Sequence, residues 1–107
     1  MDDVAPDQLS RLWDDHLRHP FPARLRGKDV GEIDFIMLDA DIAGCIQTLL
    51  SRGSLDEWRT AVLNRCLGHL AIVLPLLTDE DELAYYDRLR TMAGLALDWQ
   101  RERANLA

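Results

Sequence analysis

The sequence has a single lysine, Lys28, and is poor in turn formers, with six glycines and four prolines in 107 residues. Those few glycines and prolines fall mostly between periodic apolar stretches. That placement favours long regular elements over a loop-rich fold. Cysteine is scarce too: Cys45 and Cys66 are the only two. Both fall at mostly apolar positions of helical patterns, where a free thiol behaves as a small buried hydrophobe. No disulfide framework is implied, and reduced thiols in a cytoplasmic setting are expected.

Long hydrophobic runs are also missing. The longest, Leu70 to Leu77, contains Pro75 and is far too short to span a bilayer. The start, Met1-Asp2-Asp3, has neither the basic residues nor the apolar run of a signal peptide. No association with a membrane is therefore expected. Positive charge is in deficit, with nineteen acidic against twelve basic residues and a net charge of −7. A surface of that sign repels phosphate backbones, which disfavours nucleic acid and favours a basic protein partner. Net negative charge also serves solubility alone. The arginines are scattered, and their excess over lysine reads as genome composition. Phosphate-binding glycine loops, nucleophile elbows and calcium loops are absent, so no cofactor is implied and no catalytic assignment follows.

What is present is helical periodicity. Hydrophobic residues make up 48 %, enough for one real core in a chain of this length. A short first helix is predicted over Pro6 to Arg18, with Leu9, Leu12, Trp13, His16 and Leu17 on one face. Residues His19 to Glu32 read as an ordered loop, pinned by Phe21 and Leu25, with weak alternation for a hairpin through Arg24 to Val30. A second helix covers Ile33 to Arg52 and stops at Gly53. Its start is ambiguous: Ile33 to Leu38 is rich in strand formers, and Asp39 could cap a shorter helix. The third element runs from Leu55 to Leu74, with Ser54 and Glu57 matching a capping box and Leu55, Trp58, Val62, Cys66, Leu70 and Val73 forming its stripe. Pro75 ends it. The fourth runs from Asp79 to Arg103, capped by Thr78, with Tyr85, Leu89, Met92, Ala93, Ala96 and Trp99 inward. Short connections imply antiparallel neighbours. The expected fold is all-α: a single domain over residues 1–107, an antiparallel bundle of three long helices plus a short N-terminal one.

Asp39 is the most informative polar residue. On a continuous helix it shares a face with Phe35, Ile42, Ala43, Ile46 and Leu50, where a carboxylate needs donors, a cation or a proton. It reads as a helix cap, half of a structural ion pair, or a site residue. Arg59, between Leu55, Leu63 and Cys66, is either its partner or a long stem lying on apolar surface. His69 would complete a polar pocket with Asp39 and Arg59 for a small ligand. Cys66 and His69, three apart, could begin a metal site with Cys45, although no recognised ligand spacing is present. His16 and His19 read as a solvated helix end. Asp34 and Asp41 share the polar face of the second helix with Thr48 and Arg52. Leu38 and Cys45 lie on that otherwise polar side, and one of Tyr85 and Tyr86 must point off its stripe. These four are candidate interface residues, facing a second subunit or, on the second helix, the preceding loop. The function expected is a non-catalytic interaction or regulatory module, binding itself or a basic protein; the alternative is a ligand- or metal-binding bundle.

Overall fold

The computed structural model describes residues 7–106. The readings made on Met1-Asp2-Asp3 and on Pro6 as a helix start lie outside them. Four helices pack against one another: α1 (Asp7–Arg18), α2 (Phe35–Arg52), α3 (Glu57–Val73) and α4 (Glu80–Leu106). Between α1 and α2 come a 3-10 turn at Ala23–Leu25 and a two-stranded antiparallel hairpin, β1 (Asp29–Val30) with β2 (Ile33–Asp34). The fold is the expected all-α bundle with this one small sheet added. Among the described residues no helix is long and apolar enough to cross a membrane.

Local chemistry explains where each helix begins. The second helix does not start at Ile33. Val30 pairs with Ile33 and Asp29 with Asp34, and Gly31 takes a φ of 58° in the turn between them. A positive φ there suits glycine, which has no Cβ to clash. The short β1 supplies the partner that an isolated strand at Ile33 would lack. Asp34, not Asp39, is then the N-cap: its Oδ1 accepts from the Met37 amide at 2.9 Å. The third helix starts later than the capping-box pattern implied. Asp56 replaces Ser54 as the cap, accepting from the Arg59 amide at 2.8 Å. A carboxylate at that position also answers the positive end of the helix dipole. Asp79 replaces Thr78 in the same way, accepting from the amides of Asp81 and Glu82.

The ends of α1, α2 and α3 agree with expectation to within a residue, while α4 runs past Arg103 to Leu106. Gly53 is left-handed at φ 83°, and its amide donates to Leu49 O at 2.7 Å. Pro75 falls in a 3-10 turn at Leu74–Leu76 that closes α3. The core is built around Ile42, Ile46 and Leu49 of α2, Leu63 and Leu70 of α3, and Leu89 and Met92 of α4, all fully buried. Helix α1 lies mainly against α4, inserting Leu9. Leu25 and Phe21 do tie the preceding loop to this core. Two stripe residues break the expected pattern. Leu17 is exposed, and Trp58 is 71 % exposed on the outside of α3.

Candidate functional site

Asp39 lies one turn into α2, on the side that meets α1 and α4. Its Oδ1 is 2.9 Å from His16 Nε2, and its Oδ2 accepts the Tyr85 hydroxyl at 2.6 Å. The carboxylate therefore has the two donors that a half-buried charge requires. An ionised carboxylate can only accept, so His16 carries its proton on Nε2. His16 Nδ1 is enclosed and has no hydrogen-bond partner among the described residues. Trp13 stacks on the imidazole at 5.9 Å, and Tyr85 closes the other side at 4.8 Å. Burial, helped by the bond to Asp39, pushes the Tyr85 phenol above its ordinary range. Burial does the same to Tyr86, whose hydroxyl donates to Phe35 O at 2.6 Å.

A second set of contacts straps the loop to α4. His19 Nε2 lies 2.7 Å from Asp81 Oδ1, and Arg88 Nη1 lies 3.0 Å from His19 Nδ1. A guanidinium only donates, so Nδ1 accepts and Nε2 donates to Asp81. Arg24 reaches the buried Glu82 through Nε at 2.8 Å and through a second nitrogen. The two histidines of α1 and its end are thus not a solvated terminus. His16 is buried, His19 is half-buried, and each is bonded to a carboxylate from another element.

The other expected site residues land apart from Asp39. Arg59 pairs with Asp56, its own helix cap, at 2.6 Å. That short-range partner lies one turn away, whereas Asp39 faces α1 and α4. His69 is half-exposed on the outer side of α3, in an open depression of about 690 Å³ with Met37, Asp41, Arg65 and Ile72. Asp39, Arg59 and His69 do not converge. Cys66 points into the core, where burial pushes its thiol up to about 11, while His69 points outward. Among the described residues no group of three or more His, Cys, Asp or Glu side chains could hold a metal ion. Leu38, Cys45, Tyr85 and Tyr86 are all interior, filled by the chain itself; Cys45 Sγ even donates to Arg59 O at 3.7 Å. A partner would have to use other residues.

Those residues stand on the outer face of the α2–α3 pair. Along α3, Trp58, Arg65 and Ile72 follow one another at seven-residue spacing, so they share one stripe. Beside them on α2 run Met37, Asp41, Gly44 and Thr48, at spacings of four, three and four. Trp58 lines an open depression with Gly44 and Thr48 at one end of the seam, and Ile72 lines another with Met37 at the other. Arg65 and Asp41 bridge the middle at 3.4 Å. Met37 is 56 % and Ile72 53 % exposed, so the seam presents apolar ends around a charged centre. A side chain added at Gly44 would meet nothing within 4 Å, which leaves this face open to an approaching helix.

Residue-level reading missed this face because Trp58 and Val62 lie on adjoining sectors of α3. Nothing local says which of the two sectors is covered. It also missed His16 as the partner of Asp39, although His16 was already on the apolar stripe of α1, where an imidazole needs a partner. Comparison of the chain with protein-family models, with curated proteins and with solved structures finds no match.

Proposed function

We propose that this chain is a non-catalytic interaction module, acting in the cytoplasm through helix-face contacts with a protein surface. The observation that carries this reading is the exposed stripe of Trp58, Arg65 and Ile72 beside Met37 and Asp41. A large aromatic set in line with aliphatic side chains at helical spacing is the usual makeup of an interface anchor. Most of the polar groups that could carry chemistry are occupied elsewhere. Asp39 is bonded to His16 and Tyr85, Glu82 to Arg24, and Arg59 to Asp56. On this reading Asp39 acts as a structural tie between three helices, bonded to His16 and Tyr85. The net charge of −7 weighs against nucleic acid as the partner.

Native mass spectrometry of the chain isolated from its own cells tests this reading. Expected are species heavier than the monomer that contain protein alone. A monomer retaining a small molecule or a metal would overturn it in favour of a ligand-binding bundle. Asp39→Asn separates the two further. It should lower thermal stability and leave the protein assembly intact, whereas a ligand site at Asp39 would lose its ligand.

A further inference from the structure

We infer that the protein partner docks through a basic segment, which seats a cationic side chain and its aliphatic neighbours in the depression between the hairpin, α2 and α3. This rests on the reading of the chain as an interaction module and specifies the chemistry of its partner. At about 690 Å³ the depression has the size of a binding pocket, and it is walled by three elements. Leu38 lies buried at its apolar floor, with Met37 and Ile72 exposed beside it. Its charges are unequal. The carboxylates of Glu32, Asp34 and Asp41 face a single guanidinium, that of Arg65.

The chain does not itself supply the missing positive charge. Arg65 is 3.4 Å from Asp41, so its charge is already shared. Asp34 uses Oδ1 to cap α2 and forms no ion pair among the described residues. Glu32 is exposed and forms none either. Asp29 stands directly opposite Asp34 across the hairpin, where like charges repel. The bases of the same loop are committed elsewhere or stand apart. Arg24 is bonded to Glu82, Arg26 lies over the Phe21 ring at 5.3 Å, and Lys28 forms no ion pair among the described residues. Arginines answer Asp15, Asp56, Asp87 and Asp98 within one turn of their own helices. At the hairpin the carboxylates are left to an outside cation. A metal ion does not fit, because among the described residues no three acidic, histidine or cysteine side chains are grouped to hold one. A basic side chain does fit. Its charged head complements Glu32 and Asp34, while its aliphatic stem and apolar neighbours cover Met37 and Ile72. A second copy of this chain, with its own charge of −7, would set acid against acid here.

Nuclear magnetic resonance titration of the isotope-labelled chain tests this with two probes. One is an amphipathic helical peptide of leucine and arginine; the other carries glutamate in place of each arginine. The arginine peptide should bind at least about 10-fold more tightly. It should shift the amides of Val30 to Asp34, Met37, His69 and Ile72. Glu32→Lys should weaken it about 10-fold, and Ile72→Ser about 5-fold. Asp98→Lys changes the net charge by as much as Glu32→Lys, but near the Gly53 end of the bundle, where Trp99 bonds to Gly53 O. It should leave the affinity within about two-fold, since salt screens so distant a charge. Circular dichroism melts confirm that each variant is folded, as expected for exposed or half-exposed positions. Equal losses in Glu32→Lys and Asp98→Lys would mean attraction by net charge alone and would overturn the inference. So would equal binding of the two peptides, shifts confined to the acidic start of α4, or a homodimer as the assembly seen in native mass spectrometry. None of these touches the broader reading, which fails only if native mass spectrometry finds no protein assembly.

Discussion

Helix α2 is held by different physics on its two sides. Toward α1 and α4 it adds to its apolar packing a carboxylate, Asp39, that takes directed bonds from His16 and Tyr85. Toward α3 it offers mainly apolar atoms, with one thiol, Cys45, whose weak bond to Arg59 O adds little, and one largely exposed ion pair, Asp41 to Arg65. Directed bonds concentrate free energy in a few atoms, and each is costly when one partner is lost. Apolar packing spreads it over many side chains. The bundle therefore has a side where one substitution acts locally and a side where it acts on the whole.

The largest effect expected is at Asp39. Asp39→Ala orphans the His16 Nε2–H and the Tyr85 hydroxyl together, at about 2 kcal/mol each, or about 4 kcal/mol in total. The loss should fall first on α1, which touches mainly α4 and has few other ties. Hydrogen exchange would show α1 losing protection before α2 and α3. The matched change on the other side, Leu63→Ala, truncates a fully buried side chain and costs about 3 kcal/mol through its cavity. Its effect should be spread over α2, α3 and α4 alike. If Asp39→Ala lowers protection uniformly, the contrast between the two sides is wrong.

The contrast also sorts what could be read from the residues. Helix ends were legible because their chemistry is local: Gly53 needs no distant partner to stop α2. Starts were legible only to within a few residues, because Ser54 and Asp56, or Thr78 and Asp79, are competing caps and the carboxylate wins. The hairpin was expected too early, through Arg24 to Val30 and not Asp29 to Asp34, because its strands are two residues each, too short for alternation to register. Asp39 was recognisable as half-buried from its helical neighbours. Its partners were not, since they come from 23 and 46 residues away and depend on how three helices cross. The exposure of Trp58 was hidden for a different reason. An apolar stripe wider than one contact leaves the choice of covered sector to the tertiary packing.

Tyr85→Phe tests the polar side more gently. It removes one of the two donors to Asp39, which is partly reachable by water, and should cost about 1.5 kcal/mol. It also changes the alkaline behaviour. Burial holds the Tyr85 and Tyr86 phenols above their ordinary value, so the folded chain keeps both protons where the unfolded chain releases them. The stabilisation is complete below about pH 10 and falls as pH rises beyond it, by up to about 1.4 kcal/mol per pH unit for each tyrosine. Tyr85→Phe should remove one tyrosine's share of that slope in urea titrations between about pH 10 and 11. An unchanged slope would mean that the Tyr85 phenol ionises freely and that its bond to Asp39 does not persist in solution.

The smallest effect belongs to the apolar side and reads its opening without perturbing it. Burial pushes the Cys66 thiol up to about 11 and raises Cys45 as well. The thiolate is the reactive form, and at pH 8 a thiol of that value is ionised in about one molecule per thousand. The sign is that of a raised acid: Cys66 contributes stability below about pH 9, lost as pH climbs toward 11. A disulfide reagent at pH 8 should therefore find no fast-reacting thiol in the native chain and two after urea. Labelling in Cys45→Ala reports Cys66 alone, and its rate should track global unfolding because that thiol is enclosed between α2 and α3. Asp39→Ala then offers the sharpest comparison. If α1 departs while the α2–α3 seam stays shut, protection of Cys66 falls far less than protection of the α1 amides. Rapid labelling of Cys66 in the otherwise native chain would mean that the apolar side opens independently, and that the polar tie is the stronger of the two.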